Sequence, residues 1–136
     1  MSDVLSFSSL GLSDALVRAT DKMGYTQPSP IQVQAIPAVL SGKDLMAAAQ
    51  TGTGKTGAFA LPISQILSNA SQKAKPNHVK TLILTPTREL AAQVWQSVQD
   101  CNQFTELHSA VAFGGVSINP QMKSLRRGVD ILVATP

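Results

Sequence analysis

Residues that could cross-link the chain or anchor it in a membrane are scarce. Cys101 is the only cysteine among the 136 residues, which excludes an intramolecular disulfide and a zinc site built from several cysteines. No apolar run of about 18 residues is present to cross a bilayer. The N-terminal residues lack the basic start and the long apolar run of a secretory signal. We therefore expect a soluble, cytoplasmic protein.

Aromatic and charged residues are also few. Aromatic residues make up 4% of the chain and charged residues 14%, whereas hydrophobic residues reach 43%, so we expect an aliphatic core. This composition excludes a disordered chain, a collagen-like chain and a disulfide scaffold. The net charge of +3 permits a polyanionic partner but does not require one.

Helical and strand patterns alternate along the chain. Two helices are predicted in residues 1–42, the first behind Ser13 and the second with Ser29 as its cap and Pro30 at its first position. From residue 43 onward, continuously apolar runs predict buried strands at 44–48, 81–85, 109–113 and 131–134, with helices between them. This order predicts an α/β domain with a parallel sheet and helices on both faces.

A phosphate-binding loop is predicted at residues 49–56, AQTGTGKT, which fit the Walker A pattern. Gly52 and Gly54 allow successive backbone N–H groups to point into one concavity at the positive end of the next helix. Lys55 can reach the β- and γ-phosphates, and the Thr56 hydroxyl can bind Mg²⁺. The alternative is an ordinary glycine-rich turn between a strand and a helix. The pattern favours nucleotide binding but does not identify the reaction.

Five motifs in order resemble those of DEAD-box RNA helicases. The segment GYTQPSPIQ (residues 24–32), with Phe7 upstream of it, resembles the Q motif, and residues 49–56 resemble motif I. Residues 86–91, PTRELA, resemble motif Ia. Gly114-Gly115 resembles the GG element, and Thr135-Pro136 the first half of the TPGR motif. Residues 113–122 resemble the bacterial RhlE-type subgroup more narrowly. The resemblance implies the N-terminal part of a first RecA-like domain, with residues 1–42 carrying the Q motif and 43–136 part of the ATP-binding domain.

The resemblance also implies roles for particular residues. ATP would be bound by Phe7, Tyr25, Gln27, Gln32, Ala49, Gln50, Thr51, Gly52, Thr53, Gly54, Lys55 and Thr56. Lys55 and Thr56 would serve catalysis, and Thr56 would bind Mg²⁺. RNA would contact Pro86, Thr87, Arg88, Gly114, Gly115 and Thr135.

Some of these residues have a simpler structural interpretation as well. The Gln32 amide could close a capping box with the Ser29 backbone N–H, or it could pair with N6 and N7 of adenine, as the resemblance implies. Tyr25 could pack against the base and Phe7 could support that side of the pocket, but both could also be core aromatics.

The RNA assignment has a geometric argument too. Thr87, Gly114 and Thr135 each follow a predicted strand, so they should meet at the carboxyl edge of the sheet, where doubly wound domains bind ligands. Backbone N–H groups there, together with Arg88, could track a sugar-phosphate backbone without reading bases. Arg88 could instead form a surface ion pair, and the glycines could be plain turns.

The acidic motif that the resemblance leads one to expect is missing. No Asp-Glu pair occurs in the 136 residues, so we expect this polypeptide to bind ATP without hydrolysing it or unwinding RNA. Two strands of the family's sheet would also be missing, which leaves a gap beside the phosphate-loop strand and predicts self-association through unpaired edges. Another P-loop NTPase, such as a small kinase or a DNA translocase, and a non-enzymatic module that binds anions or a partner strand are the alternatives.

Overall fold

A computed structural model describes residues 5–49, 54–70, 72–114 and 118–136. A short 3-10 helix at Ser8–Leu10 precedes five α-helices and three β-strands in the described residues. The helices are α1 (Asp14–Lys22), α2 (Pro30–Leu40), α3 (Lys55–Asn69), α4 (Arg88–Cys101) and α5 (Ile118–Leu125). The strands are β1 (Val79–Leu84), β2 (Ser109–Ala112) and β3 (Val129–Ala134).

The helices begin where local sequence signals predict. Pro30 occupies the first position of α2, where its missing N–H costs no hydrogen bond. Thr87 caps α4, because its hydroxyl oxygen accepts a hydrogen bond from the Leu90 N–H at 3.1 Å. Gly54 precedes α3 with a φ of 84°, a left-handed conformation that favours glycine.

The sheet is parallel throughout and has the strand order β1-β3-β2. Leu82 of β1 and Ala110 of β2 are both in register with Leu132 of β3. The structure thus confirms the α/β class and the parallel sheet that the strand–helix alternation predicts.

One face of the sheet packs against α4 and forms the core. Ile131 and Val133 are fully buried on this face, and the Trp95 indole N–H of α4 donates to the Ser109 hydroxyl of β2 at 3.2 Å. The same hydrophobic cluster extends into the N-terminal helices, where its members are Phe7, Leu10, Leu12, Leu16 and Ile36. The N-terminal segment and the sheet therefore share one core.

The opposite face of the sheet is covered unevenly. Ala110 of β2 is buried there, and α5 contacts β2. At β1, Leu82 and Leu84 remain 55% and 61% exposed on this face. Because β1 pairs only with β3 among the described residues, its second edge is open as well.

The predicted strand at residues 44–48 is wrong for this structure. Residues 43–49 have no regular secondary structure, and Met46 is fully exposed at 100% while Leu45 is 45% exposed. A strand needs a hydrogen-bonded neighbour, and none of β1, β2 and β3 pairs with this segment. The apolar run at 44–48 therefore has strand-like composition but pairs with none of the described strands.

Candidate nucleotide and RNA site

Gln32 links the N-terminal helices to the start of α3. Its carbonyl oxygen accepts a hydrogen bond from the Ser29 backbone N–H at 2.9 Å, which is the capping interaction predicted from the spacing. Its amide nitrogen donates to the Gly54 carbonyl oxygen at 3.2 Å. The side chain is only 3% exposed. One buried carboxamide thus holds α2 and the residue before α3 in a fixed relation.

Two glycines make room for this carboxamide. A Cβ atom at Gly54 would lie 2.5 Å from the Gln32 amide nitrogen and 3.2 Å from the Ser29 hydroxyl oxygen. A Cβ atom at Gly57 would lie 3.0 Å from the same nitrogen. Sequence reasoning did not single out Gly57, although its spacing of three residues from Gly54, about one helical turn, is a signal that could have found it.

The residues predicted to bind triphosphate are only partly described. Lys55 and Thr56 open α3, with Lys55 exposed and Thr56 half-buried. Ala49 is half-buried before the loop. Gln50, Thr51, Gly52 and Thr53 lie outside the described residues. The structure thus places Lys55 and Thr56 in the first turn of α3, the positive end of the helix, where an anion is favoured.

The predicted base-binding residues occupy different environments. Tyr25 is 43% exposed, and Gln27 is also exposed. Phe7 is 3% exposed and belongs to the hydrophobic core, so it presents almost no surface to a ligand. A supporting role behind a pocket wall is compatible with this position, whereas direct stacking of Phe7 on a base is not.

The predicted RNA residues meet at the carboxyl edge of the sheet. The Gly114 N–H donates to the Thr135 hydroxyl at 3.0 Å, which joins the ends of β2 and β3. The Thr85 N–H donates to the Ala134 carbonyl at 2.9 Å, which joins the ends of β1 and β3. The Thr85 hydroxyl donates to the carbonyl of Thr87, the N-cap of α4, at 3.2 Å. Thr85 is a connecting residue that sequence reasoning missed.

This edge is open to solvent. Pro86, Thr87, Arg88 and Gly114 are exposed and Thr135 is half-buried, while Gly115 lies outside the described residues. Arg88 forms no ion pair with any described carboxylate, so the alternative of a surface ion pair finds no partner there. The edge therefore presents a free guanidinium group beside the N-terminus of α4 and several backbone N–H groups.

In the described ranges, no group of three or more His, Cys, Asp or Glu side chains comes together to hold a metal ion. None of the helices found in these ranges is long and apolar enough to cross a membrane.

The parallel sheet, the glycine-led helix α3 and the carboxyl-edge cluster define a RecA-like P-loop domain. The family model "DEAD/DEAH box helicase" matches residues 29–136, so the chain belongs to that family. A solved DEAD box protein from Methanococcus jannaschii superimposes with a TM-score of 0.83 and 37% identity, over 96% of this chain and 34% of that one.

Curated relatives come from bacteria and eukaryotes alike. The chain is 42% identical to the DEAD-box ATP-dependent RNA helicase RhpA of Helicobacter pylori, over 96% of this chain and 25% of the relative. It is 44% identical to the ATP-dependent RNA helicase CshA of Limosilactobacillus reuteri, over 97% of this chain and 26% of the relative. It is 46% identical to the DEAD-box ATP-dependent RNA helicase 28 of Arabidopsis thaliana, over 96% of this chain and 16% of the relative. The chain thus spans between 16% and 26% of the length of these relatives, and they single out no bacterial subgroup.

Proposed function

We propose that this chain is the ATP- and RNA-binding part of an ATP-dependent RNA helicase. Family membership and relatives that are named as RNA helicases support this proposal. The observation that carries it is the hydrogen bond from the Gln32 amide to the Gly54 carbonyl, because it ties the segment that resembles the Q motif to the start of the phosphate-binding helix.

In this proposal Gln32 recognises adenine. The carboxamide uses one acceptor position for the Ser29 N–H and one donor for the Gly54 carbonyl, which leaves one N–H and one lone pair. The remaining N–H can donate to adenine N7, and the remaining lone pair can accept from adenine N6–H. Because Gln32 is 3% exposed, base binding must uncover it, and Tyr25 and Gln27 are the exposed neighbours in sequence that could then contact the base.

The triphosphate would lie against the N-terminus of α3. Lys55 would contact the β- and γ-phosphates, and the residues from Ala49 to Gly54 would supply backbone N–H groups. The Thr56 hydroxyl would hold Mg²⁺, which neutralises phosphate charge when bound. The position of Thr56, one residue into α3, suits this role. Hydrolysis is not proposed for the 136 residues themselves, because they contain no Asp-Glu pair to complete the site.

RNA would bind at the carboxyl edge through its backbone. Pro86, Thr87 and Arg88 would contact it beside β1, and Gly114, Gly115 and Thr135 beside β2 and β3. The hydrogen bond between the Gly114 N–H and the Thr135 hydroxyl supports a common surface. Contacts of this kind recognise phosphate and sugar without reading the base sequence.

The same proposal includes the subgroup, the cellular location, the domain bounds and the self-association of the chain. The segment 113–122 supports an RhlE-like bacterial subgroup, and activity on RNA fits a cytoplasmic location. Residues 1–42 would form the Q-motif part and 43–136 part of the first RecA-like domain. The open edge and exposed leucines of β1 support self-association of the 136-residue polypeptide.

The test is a titration of the chain with ATP and with GTP in the presence of Mg²⁺. We expect tighter binding of ATP, and loss of both nucleotides in Lys55→Ala. Gln32→Glu keeps the acceptor for the Ser29 N–H but removes the amide donor, so it should lose the preference for ATP. Circular dichroism checks that this variant stays folded. Equal affinities for ATP and GTP in the unmodified chain would favour another P-loop NTPase, and unchanged binding by Lys55→Ala would refute the site.

A further inference from the structure

A basic groove lies at the opposite end of the sheet from the proposed site. It runs along the amino ends of β2 and β3 and the end of α5, with a volume of about 280 Å³. Its walls carry the cations Lys123, Arg126 and Arg127 as well as the His108 ring, and no carboxylate lines it. We call this the amino-edge groove. Nucleotide and RNA in the proposed function both lie at the carboxyl edge, so this groove is separate from them.

The charges of the groove are not explained by the fold. The Lys123, Arg126 and Arg127 side chains are exposed and form no ion pair with a carboxylate in the described part of the chain. The dipole of α5 favours some positive charge at its C-terminal end, but that effect falls off within one turn and is small at an exposed position. Three adjacent cations around one groove repel each other, so a polyanion would relieve this repulsion.

The amino-edge groove continues into a larger cavity that contains an aromatic ring. This cavity has a volume of about 590 Å³ and shares His108 and Arg127 with the groove. Phe104 lines this cavity. The Arg18 guanidinium carbon lies 4.4 Å from the centroid of the Phe104 ring, and the Lys22 ammonium nitrogen lies 5.8 Å from it. An aromatic side chain at the cavity wall offers apolar surface that a nucleobase can contact.

Two carboxylates in the larger cavity offset the positive charge there, so the excess of positive charge lies in the amino-edge groove. Asp130 is buried, and its carboxylate accepts a hydrogen bond from the His108 backbone N–H at 2.9 Å. Glu106 is exposed and lines the same cavity. Phosphates should therefore lie against Lys123, Arg126 and Arg127, and a base should lie toward Phe104.

We propose that the amino-edge groove is a second RNA-binding surface, which holds the sugar-phosphate backbone of a single strand. The inference rests on the proposed function in one respect, that the polyanion the chain meets is RNA. Backbone contacts by arginine and lysine with one stacking platform are the usual means of binding single strands without sequence preference.

The test compares two double variants that each remove two positive charges. Arg126→Gln/Arg127→Gln changes the amino-edge groove, and the matched control Lys43→Gln/Lys80→Gln removes two exposed cations that lie outside both proposed binding surfaces. Binding of a fluorescein-labelled ten-nucleotide oligouridine is measured by anisotropy between about 50 and 200 mM salt. Each phosphate contact on a single strand adds about 0.7 to the slope of log affinity against log salt. Circular dichroism checks that both variants stay folded.

We expect the groove variant to lose about tenfold or more in affinity at about 0.1 M salt and about 1.4 in salt slope. Crosslinks from 4-thiouridine should then map to the peptides around Phe104 and Arg126. If the groove variant loses no more affinity than the control variant, the inference is overturned. If the chain binds ATP but no RNA, the inference fails while the nucleotide part of the proposed function stands. Binding to phosphatidylserine vesicles but not to oligouridine would overturn it in favour of a membrane surface.

Discussion

At the scale of single residues, Gln32 forms the capping interaction that its spacing predicts, and its pairing with adenine stays a prediction. The capping interaction with the Ser29 N–H is present, and the same side chain also reaches the Gly54 carbonyl. Spacing alone predicts the first contact, because it lies within four residues. The second contact joins positions 22 residues apart, so it depends on how α2 packs on α3 and could not be read from either segment.

Substitution at Gly54 should report on this contact. Gly54→Ala places a Cβ atom 2.5 Å from the Gln32 amide nitrogen at a φ of 84°. Gly42→Ala is the control, because its φ is 82° but nothing lies within 4 Å of the new Cβ. We expect the control to lower the free energy of unfolding by about 1 to 2 kcal/mol from backbone strain alone. Gly54→Ala should cost about 1 to 3 kcal/mol more because of the steric conflict. Equal losses in urea denaturation would contradict the contact.

Cys101 should be an unreactive thiol in the folded chain. Burial, together with the nearby charge of Asp100, raises the pKa of Cys101 from an ordinary value of 9.0 to about 12. The neutral thiol therefore contributes stability below about pH 9, and this contribution is lost as the pH rises from 9 toward 12. A disulfide reagent should label Cys101 at pH 8 only after unfolding. Rapid labelling of the native chain would contradict its burial.

A pH series on Cys101→Ala provides the control for that prediction. Between pH 9 and 12 the unmodified chain should lose more unfolding free energy than the variant, because only the unmodified chain has a thiol that ionises more readily when unfolded. Parallel losses in the two proteins would show that the thiol pKa is not raised by folding.

At the scale of elements, the sequence predicts correctly where helices start, but it wrongly predicts a strand at 44–48. Helix α4 begins at a cap that acts within three residues, so the sequence contains the whole signal. Residues 44–48 have the composition of a buried strand, but a strand also requires a partner that is distant in sequence. With no partner among β1, β2 and β3, Leu45 and Met46 remain exposed.

The cap of α4 gives a test at this scale. Thr87→Ala removes the oxygen that accepts from the Leu90 N–H, and we expect a loss of about 1 kcal/mol in the free energy of unfolding. Thr87→Ser keeps a capping oxygen and should lose much less. Thermal or urea denaturation measures both. A loss in Thr87→Ser as large as that in Thr87→Ala would show that the methyl group, and not the cap, carries the effect.

At the scale of the whole molecule, the β1 side of the described sheet has both an unpaired edge and exposed leucines. One edge of β1 has no neighbour among the described strands, and Leu82 and Leu84 are exposed on the face that α4 does not cover. The alternation of strands and helices predicted the parallel order, but not which strand would be left at an open edge. That outcome depends on the strands that are present to pair.

Self-association should follow from this open side. We expect the 136-residue polypeptide to form dimers or larger species at micromolar concentration, as measured by sedimentation velocity. Leu82→Lys/Leu84→Lys should shift the distribution to monomer, because exposed edges and faces that carry charge resist pairing. The matched change Lys80→Gln on the same strand should not. A strictly monomeric unmodified chain would contradict the prediction.

The account as a whole depends on nucleotide binding where the Q-motif segment meets α3. Amide hydrogen exchange, measured with and without ATP and Mg²⁺, tests this most directly. Binding there should slow exchange in the peptides that contain Gln32 and the start of α3, and leave the amino ends of β2 and β3 unchanged. Lys55→Ala should abolish the difference. Slower exchange only at the amino ends of β2 and β3 would contradict nucleotide binding at this site. No change around Gln32 and Lys55 at saturating ATP would contradict it as well.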